Sequence, residues 1–221
     1  MTRDVDCIGS AEFQNLTDPT TGLPCGYKLV DLTWTGKVGR GGPNVTMSGD
    51  SLSDIEHKLN DTQPGGFSWA SVDGVTVKRD THKKVQLYVL SVSLAKHLSL
   101  TMLAQGKIDC SAGGDDWVST DPIDEGIRYL HGISGDCQVE KGFQVCARVS
   151  CSWNGGIWLC NDTRDKLSVP CRTIAEYTQD IRDKCWFDAS PGAPAFIPIV
   201  RGQEFDDGNW NIIVGHSPEH C

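Results

Sequence analysis

Ten cysteines constrain the fold of this chain more than any other feature of its sequence. They are spread over 221 residues, at Cys7, Cys25, Cys110, Cys137, Cys146, Cys151, Cys160, Cys171, Cys185 and Cys221. No Cys-x-x-Cys knuckle occurs among them, so their spacing does not favour structural zinc sites. The even count allows every thiol to pair, which predicts disulfides and leaves no spare cysteine nucleophile. Because disulfides persist in oxidising compartments, we expect a secreted protein.

Four N-glycosylation sequons point to the same compartment. Their acceptor residues are Asn15, Asn44, Asn60 and Asn161, which are four of the seven asparagines in the chain. Sequons of this kind are modified in the secretory pathway, so we expect an extracellular glycoprotein. The first seven residues contain no apolar h-region, so we expect no signal peptide in this sequence. We expect Met1 to be a start codon placed before a mature chain.

The acidic charge balance disfavours several classes of partner. The net charge is −9, and no basic stripe is available to displace counterions from nucleic acids or anionic membranes. The longest apolar stretch, residues 85–104, is interrupted by Gln86, Lys96 and His97. It is too polar to span a bilayer, so we expect it to form buried core without stable membrane insertion.

A β-hairpin is predicted in the C-terminal third. Apolar residues alternate with polar ones over residues 143–151, which is the period of a strand. Asn154-Gly155 favours a type I′ turn, after which residues 156–160 return as the second strand. A two-residue loop would pair Cys151 with Trp158, although Gly156 allows a longer loop. The expected face contains Val149, Cys151, Trp153, Trp158 and Cys160.

An amphipathic helix is predicted after this hairpin. Ser168 can cap it, Pro170 suits its first turn, and its buried stripe contains Cys171, Ile174, Thr178, Ile181 and Cys185. The two cysteines are fourteen residues apart, which is about 21 Å along a helix. A disulfide needs Cα atoms within about 7 Å, so these cysteines cannot pair with each other. We expect them to reach the facing sheet, as Cys151–Cys185 and Cys160–Cys171.

Weaker patterns complete the predicted architecture. Strands are expected at residues 27–34, 45–47, 67–69, 72–77, 85–94, 196–200 and 210–214, the last after an Asp207-Gly208 turn. Ser51 can cap a short helix that buries Leu52, Ile55 and Leu59, and residues 111–135 look loop-rich. The expected fold class is α+β, with disulfide-stabilised antiparallel sheets and two helices packed on them. We expect a strand-rich half at residues 1–109 and a cysteine-rich ββαββ half at residues 110–221. The two halves would form either one compact domain or two tightly packed units.

No pattern for a known reaction or cofactor is present. The chain lacks a Gly-x-Ser-x-Gly elbow, a His-Glu-x-x-His motif and a Gly-Lys-Ser/Thr phosphate loop. Pro218 lies between His216 and His220 and disfavours the helix that would place both histidines on one side to bind a metal. A glycosidase needs two carboxylates across a cleft, and the sequence does not place Asp115-Asp116 or Asp206-Asp207 in that way. We expect no catalytic residue, no metal and no cofactor, and therefore a protein that acts by binding.

Two features are candidates for a binding surface. The segment after Cys185 is restricted by Pro191, Pro194 and Pro198 and presents Phe196. A stiff, disulfide-anchored loop binds with little ordering cost, whereas the alternative is a plain helix-to-strand connection. Trp117 and Trp186 stand in loop-like contexts and are candidate exposed aromatics, although core filling is the alternative for each. The dibasic Lys78-Arg79 is either a processing site or a solvated turn.

The C-terminal eighty residues also carry a family resemblance. Residues 156–162, 169–177, 181–185 and 209–214 resemble small cysteine-rich proteins secreted by filamentous fungi, and more loosely the killer-toxin-type α/β sandwich. The resemblance implies an effector that acts on another organism, and some effectors of plant-infecting fungi inhibit papain-like cysteine proteases. Our leading hypothesis is a non-enzymatic virulence effector that inhibits such an extracellular host protease in the apoplast. The alternatives are a killer-toxin-like cytotoxic protein and a cell-wall glycan-binding protein or hydrolase.

Overall fold

Strands dominate the structure of this chain. The computed structural model describes residues 7, 16–39, 42–63, 66–69, 106–112, 117–192, 195–218 and 221. These residues contain three sheets, three helices and five disulfides. This mixed, mostly sheet structure agrees with the predicted disulfide-stabilised α+β class. None of the helices in these ranges is both long enough and apolar enough to cross a membrane.

The described elements are thirteen strands and three helices. The strands are β1 (Lys28–Val30), β2 (Leu32–Lys37), β3 (Asn44–Gly49), β4 (Lys107–Asp109), β5 (Val118–Ser119), β6 (Asp136–Val139), β7 (Val145–Ser152), β8 (Gly155–Asn161), β9 (Leu167–Pro170), β10 (Phe187–Asp188), β11 (Pro198–Val200), β12 (Gly202–Asp206) and β13 (Trp210–His216). The helices are α1 (Leu52–Thr62), α2 (Thr120–His131) and α3 (Cys171–Cys185).

The largest sheet has six strands in the order β1-β7-β8-β13-β12-β4. β1 runs parallel to β7, and the other neighbours are antiparallel. Helices α2 and α3 pack against each other and onto the face that carries the larger hydrophobic core. The opposite face holds a smaller buried cluster of Leu23, Cys146, Trp158, Cys160 and Ile213. Strands from both sides of residue 110 therefore share this sheet.

Two smaller sheets complete the architecture, in the orders β3-β2-β6-β9 and β10-β11-β5. The predicted helix after Ser51 is confirmed: the Ser51 hydroxyl accepts a hydrogen bond from the Asp54 amide, and α1 buries its predicted apolar stripe. The predicted strand 27–34 is instead divided between β1 and β2, which belong to different sheets. The prediction of a strand at 67–69 is wrong, because these residues belong to no strand; the Trp69 ring instead packs edge-on against both Trp34 and Phe67. The predicted strands at 72–77 and 85–94 lie outside the described residues.

Helix α2 corrects the prediction that residues 111–135 are loop-rich. Ser119 caps it, and Ile123, Ile127 and Leu130 are buried on one stripe. Pro122 is tolerated in the first turn, where the amide has no helical acceptor. Gly126 lies so close to the sheet that a Cβ would come within 2.5 Å of the Ile157 Cδ1 atom. Both residues look like helix breakers in the sequence, yet each suits its tertiary position.

The β7–β8 hairpin forms, but its predicted register is wrong. The two central turn residues are Trp153 and Asn154, both with positive φ, and Ser152 pairs with Gly155. A Cβ at Gly155 would lie 2.6 Å from the Cβ of Pro122, so this glycine permits the close approach of α2. A register shift between Arg148 and Ser150 then divides the predicted face between the two sides of the sheet.

The disulfide pairing also differs from the prediction. The bridges are Cys7–Cys25, Cys110–Cys185, Cys137–Cys171, Cys146–Cys160 and Cys151–Cys221. As expected, the helix cysteines do not pair with each other. Their predicted partners are wrong because Cys160 faces the smaller core, directly across from Cys146. The prediction of a Ser168 cap is wrong as well, since Ser168 lies in β9 and α3 begins after Pro170 without a side-chain cap.

The predicted hairpin around Asp207-Gly208 forms, and its second strand lies in β13 as predicted, but its first strand is β12 and not residues 196–200, which contribute to another sheet. Strands β12 and β13 pair from Gly202↔Val214 to Asp206↔Trp210 around the predicted Asp207-Gly208 turn. Asn209 completes this turn with a positive φ of 58°. The predicted strand at 196–200 is shorter in the structure, where β11 begins at Pro198.

Candidate functional site

Exposed apolar side chains gather around the small β10-β11-β5 sheet. Trp186 is 41% exposed, Phe187 42%, Phe196 64% and Ile197 48%. We call these four residues, together with the half-buried Trp117, the aromatic patch. Large apolar groups on a surface are informative when they adjoin one another, because single exposed residues are normal.

The patch is tied to the core through the sheet below it. Central strand β11 pairs with β10 through Phe187↔Ile199 and with β5 through Val200↔Val118. Val118 and Val200 are buried in the main core. β10 begins two residues after Cys185, which is bonded to Cys110. Short strands that would be weak alone are therefore fixed by burial and by a disulfide.

Contacts between rings hold the patch residues in place. Trp186 and Phe196 meet edge-on with ring centroids 6.0 Å apart, and Trp117 meets Phe187 in the same way at 4.4 Å. On another side of Trp117, the Arg201 guanidinium lies 4.2 Å from the ring centroid, a cation–π geometry. These contacts leave part of each exposed ring available to a partner.

The loop that carries Phe196 is closed at its base by a carboxylate. Asp188 accepts hydrogen bonds from the amides of Ser190 and Ile197, both at 3.0 Å. The amide bonds from Ile197 and Ser190 lower the pKa of Asp188, so the carboxylate stays charged and keeps both bonds. The Ala189 amide also donates to the Ile197 carbonyl at 2.9 Å. Phe196 thus projects from a loop with a defined base.

Two of the sequence-predicted candidates, Trp186 and Phe196, contact each other, and a third, Trp117, contacts Phe187. Trp117, Trp186 and Phe196 all belong to the patch, whereas Pro191 is an exposed loop residue and Pro198 begins β11. Pro194 lies outside the described residues. Phe187 and Ile197 were not among the predicted candidates, because both look like ordinary strand residues in the sequence. In the structure Phe187 lies in the edge strand β10 and Ile197 lies just before β11, and both are exposed. A binding role for these residues remains a prediction.

A group of titratable side chains lies where α3 packs on β12. Glu204 is only 1% exposed, and its Oε2 atom has no hydrogen-bond partner among the described residues. Burial, with a smaller contribution from Asp180, raises the pKa of Glu204 to about 7, while Lys184 opposes the shift. Asp206 accepts hydrogen bonds from the Tyr177 hydroxyl and the Gly208 amide. Asp206 therefore links α3 to the β12–β13 turn through these two hydrogen bonds.

Other sequence-predicted polar groups do not form a reactive centre in the described part of the chain. No three potential metal ligands converge within it. His216 ends β13, whereas His220 and the Asp115-Asp116 pair lie outside the described residues. The three described sequon asparagines differ in accessibility: Asn44 and Asn60 are exposed, and Asn161 is fully buried. Asn15 and Lys78-Arg79 are not described.

The Asn161 side chain is committed to its own loop. Its Nδ2 atom donates to the carbonyls of Glu140 and Asp165, at 3.3 and 2.7 Å. Its Oδ1 atom accepts from both the amide and the hydroxyl of Thr163. A glycan on Nδ2 needs this buried nitrogen, so the folded site has no room for one.

Searches against protein-family models, curated proteins and solved structures find no match for this chain.

Proposed function

We propose that this protein is a secreted, non-enzymatic virulence effector that binds and inhibits an extracellular host protein through the aromatic patch. The carrying observation is that Trp186, Phe187, Phe196 and Ile197 are all exposed on one small sheet and on the loop between two of its strands. Tryptophan and other aromatic side chains are enriched at the centres of protein interfaces, where they contribute most of the binding energy. The five disulfides suit an oxidising extracellular environment.

The rigidity of the patch supports binding rather than incidental exposure. The Phe196 loop is closed by Asp188 at its base, and the Cys110–Cys185 bridge holds the preceding helix end. A loop ordered before binding loses little conformational entropy on association, so more of the contact energy appears as affinity. Phe196 is the most exposed residue of the patch and would be its central anchor.

The proposed target class is a papain-like cysteine protease of the host. This choice follows from the resemblance to secreted fungal effectors, and the projecting loop supports it because a protruding segment can enter a protease cleft. The test is a titration of purified papain with the intact chain, with hydrolysis of a fluorogenic peptide as the readout. We expect micromolar or stronger inhibition. In a separate binding measurement, papain whose active-site cysteine has been alkylated should no longer bind the protein.

Matched phenylalanine variants connect inhibition to the patch. Phe196→Ala should weaken inhibition at least about tenfold, as expected for an anchor worth more than about 1.4 kcal/mol. Phe143 is 61% exposed, close to the 64% of Phe196, but lies before β7 and outside the patch. Phe143→Ala should therefore leave inhibition unchanged. No inhibition of papain or of a panel of secreted plant cysteine proteases at micromolar protein would refute the proposed function.

A further inference from the structure

A second concave surface lies where α1, α2 and β7 meet. It is a cleft of about 230 Å³, lined by Ser51, Ser53, Glu125, Tyr129, Ser150 and Ser152. Ser51 and Ser53 come from the start of α1, Glu125 and Tyr129 from α2, and the remaining two from the end of β7. Three elements that are distant in the sequence therefore contribute polar groups to one small space.

Most of the polar groups that line this cleft are hydroxyls, and Val149 and Cys151 add apolar surface beside them. Neither Ser53 nor Ser150 has a side-chain hydrogen-bond partner among the described residues. Ser152 donates to Glu125 at 3.0 Å, which leaves the other carboxylate oxygen available. The lining contains no lysine, arginine or histidine. Hydroxyls both donate and accept hydrogen bonds, so this lining suits a ligand that does the same.

The walls of the cleft are held in place before any ligand arrives. The Tyr129 hydroxyl accepts a hydrogen bond from the Trp69 indole at 2.8 Å and donates to Glu56 at 3.4 Å, which fixes the ring. The register shift in β7 ends at Ser150. Gly126 leaves space beside it, since a Cβ there would lie 3.1 Å from the Ser150 hydroxyl. Bulges often orient side chains at functional sites in this way.

We propose that this cleft binds one sugar ring of a glycan. An anion is disfavoured because a carboxylate lines the space without a basic residue, and an apolar ligand would leave the hydroxyls unpaired. A sugar ring offers several hydroxyls to the serines and Glu125, and its apolar face can rest on the Tyr129 ring. The volume is smaller than that of typical drug-sized pockets, which limits the occupant to about one ring.

The proposal is independent of the aromatic patch and of protease inhibition. It is tested with the intact chain by saturation-transfer NMR, followed by calorimetric titration of the sugars that respond. The probes are chito-, laminari- and cello-oligosaccharides, which represent cell walls, and oligomannose, which represents protein-linked glycans. A response to one arm identifies the source of the sugar. The absence of saturation transfer to all four at millimolar concentration would overturn the proposal.

Variants then assign the binding to this cleft. Ser150→Ala and Glu125→Gln should each raise the Kd about three- to tenfold, the effect of losing one hydrogen bond. Ser168→Ala and Glu176→Gln are the matched controls, since both residues are exposed and lie outside the cleft. Thermal unfolding checks that all four variants fold. Binding that is equally strong in the cleft variants and in the controls would place the sugar elsewhere and overturn the proposal.

Discussion

Replacing Glu204 with glutamine should stabilise the protein at high pH and leave it nearly unchanged at low pH. The carboxyl group is buried in β12 below α3, and its Oε2 atom has no hydrogen-bond partner among the described residues. The charged groups that influence it are Asp180 and Lys184 from α3 and Asp206 from the same strand. Glutamine has nearly the same shape as the protonated acid but cannot acquire a charge.

The size of the effect follows from the pKa of Glu204. Burial raises it from an ordinary value of 4.5 to about 7. Below pH 4.5 the group is protonated in both the folded and the unfolded chain, so its full contribution to stability is present. As the pH rises through 7, the folded protein must ionise a buried carboxyl, and the contribution is lost. A shift of this size corresponds to about 3 kcal/mol of unfolding free energy between about pH 4 and about pH 8.

The assay is thermal unfolding followed by circular dichroism, with the disulfides intact, across this pH range. For a chain of this length, about 3 kcal/mol corresponds to a Tm difference of roughly 6–12 °C. Other groups also titrate, so the informative quantity is the difference in Tm between wild type and Glu204→Gln at each pH. Glu176→Gln, at an exposed position of α3, controls for the loss of one negative charge. Parallel profiles for wild type and Glu204→Gln would refute the reasoning.

Two further predictions concern residues with structural roles. Peptide mapping of the folded glycoprotein should find glycans at Asn44 or Asn60 and none at Asn161, because the Asn161 nitrogen is buried and donates two hydrogen bonds; an occupied Asn161 in properly folded protein would contradict this. Gly155→Ala should lower the unfolding free energy by about 1–3 kcal/mol, since its Cβ would meet Pro122 at 2.6 Å and overpack the contact. Chemical denaturation measures this change, and an unchanged midpoint would show that α2 can move aside at no cost.

Local periodicity was sufficient to predict α1 and α3. Each helix buries one apolar stripe, and this spacing is visible in the sequence without knowledge of its partner. The prediction failed at α2, where Pro122 and Gly126 interrupt the pattern. Pro122 is tolerated because it lies at the helix start, and Gly126 is needed because Ile157 of the neighbouring strand lies close to it. Both reasons depend on the tertiary structure and are not visible in the local sequence. Local patterns therefore identify elements more readily than they exclude them.

The register of the β7–β8 hairpin shows how tertiary contact can override turn preference. Asn154-Gly155 is a strong local turn pattern, yet the turn lies one residue earlier, at Trp153-Asn154. Gly155 is needed in the strand, where it allows Pro122 to approach. A shift of one residue exchanges the two faces of a strand. The disulfide prediction depended on those faces and failed with them.

Some residues of the candidate site could be predicted from the sequence, but the contacts that bring them together could not. Phe196 and Trp186 were recognisable as aromatic residues in loop-like segments, whereas the contact between them depends on β10 pairing with β11. Phe187 was not recognisable, because its exposure results from an edge position in a three-stranded sheet. The serine-lined cleft was entirely hidden, since its residues come from three distant elements and serine is common in loops.

The position of the aromatic patch argues for a binding role over a failure of packing. Its strands β5 and β10 have two residues each, too few to hold a sheet by their own hydrogen bonds. Their order depends on the Cys110–Cys185 bridge and on Arg201 against Trp117. Arg201 covers one face of Trp117, whereas Trp186, Phe187 and Phe196 stay partly exposed. Rings held rigidly with open faces suit recognition of a partner, because the ordering cost is met before the partner arrives.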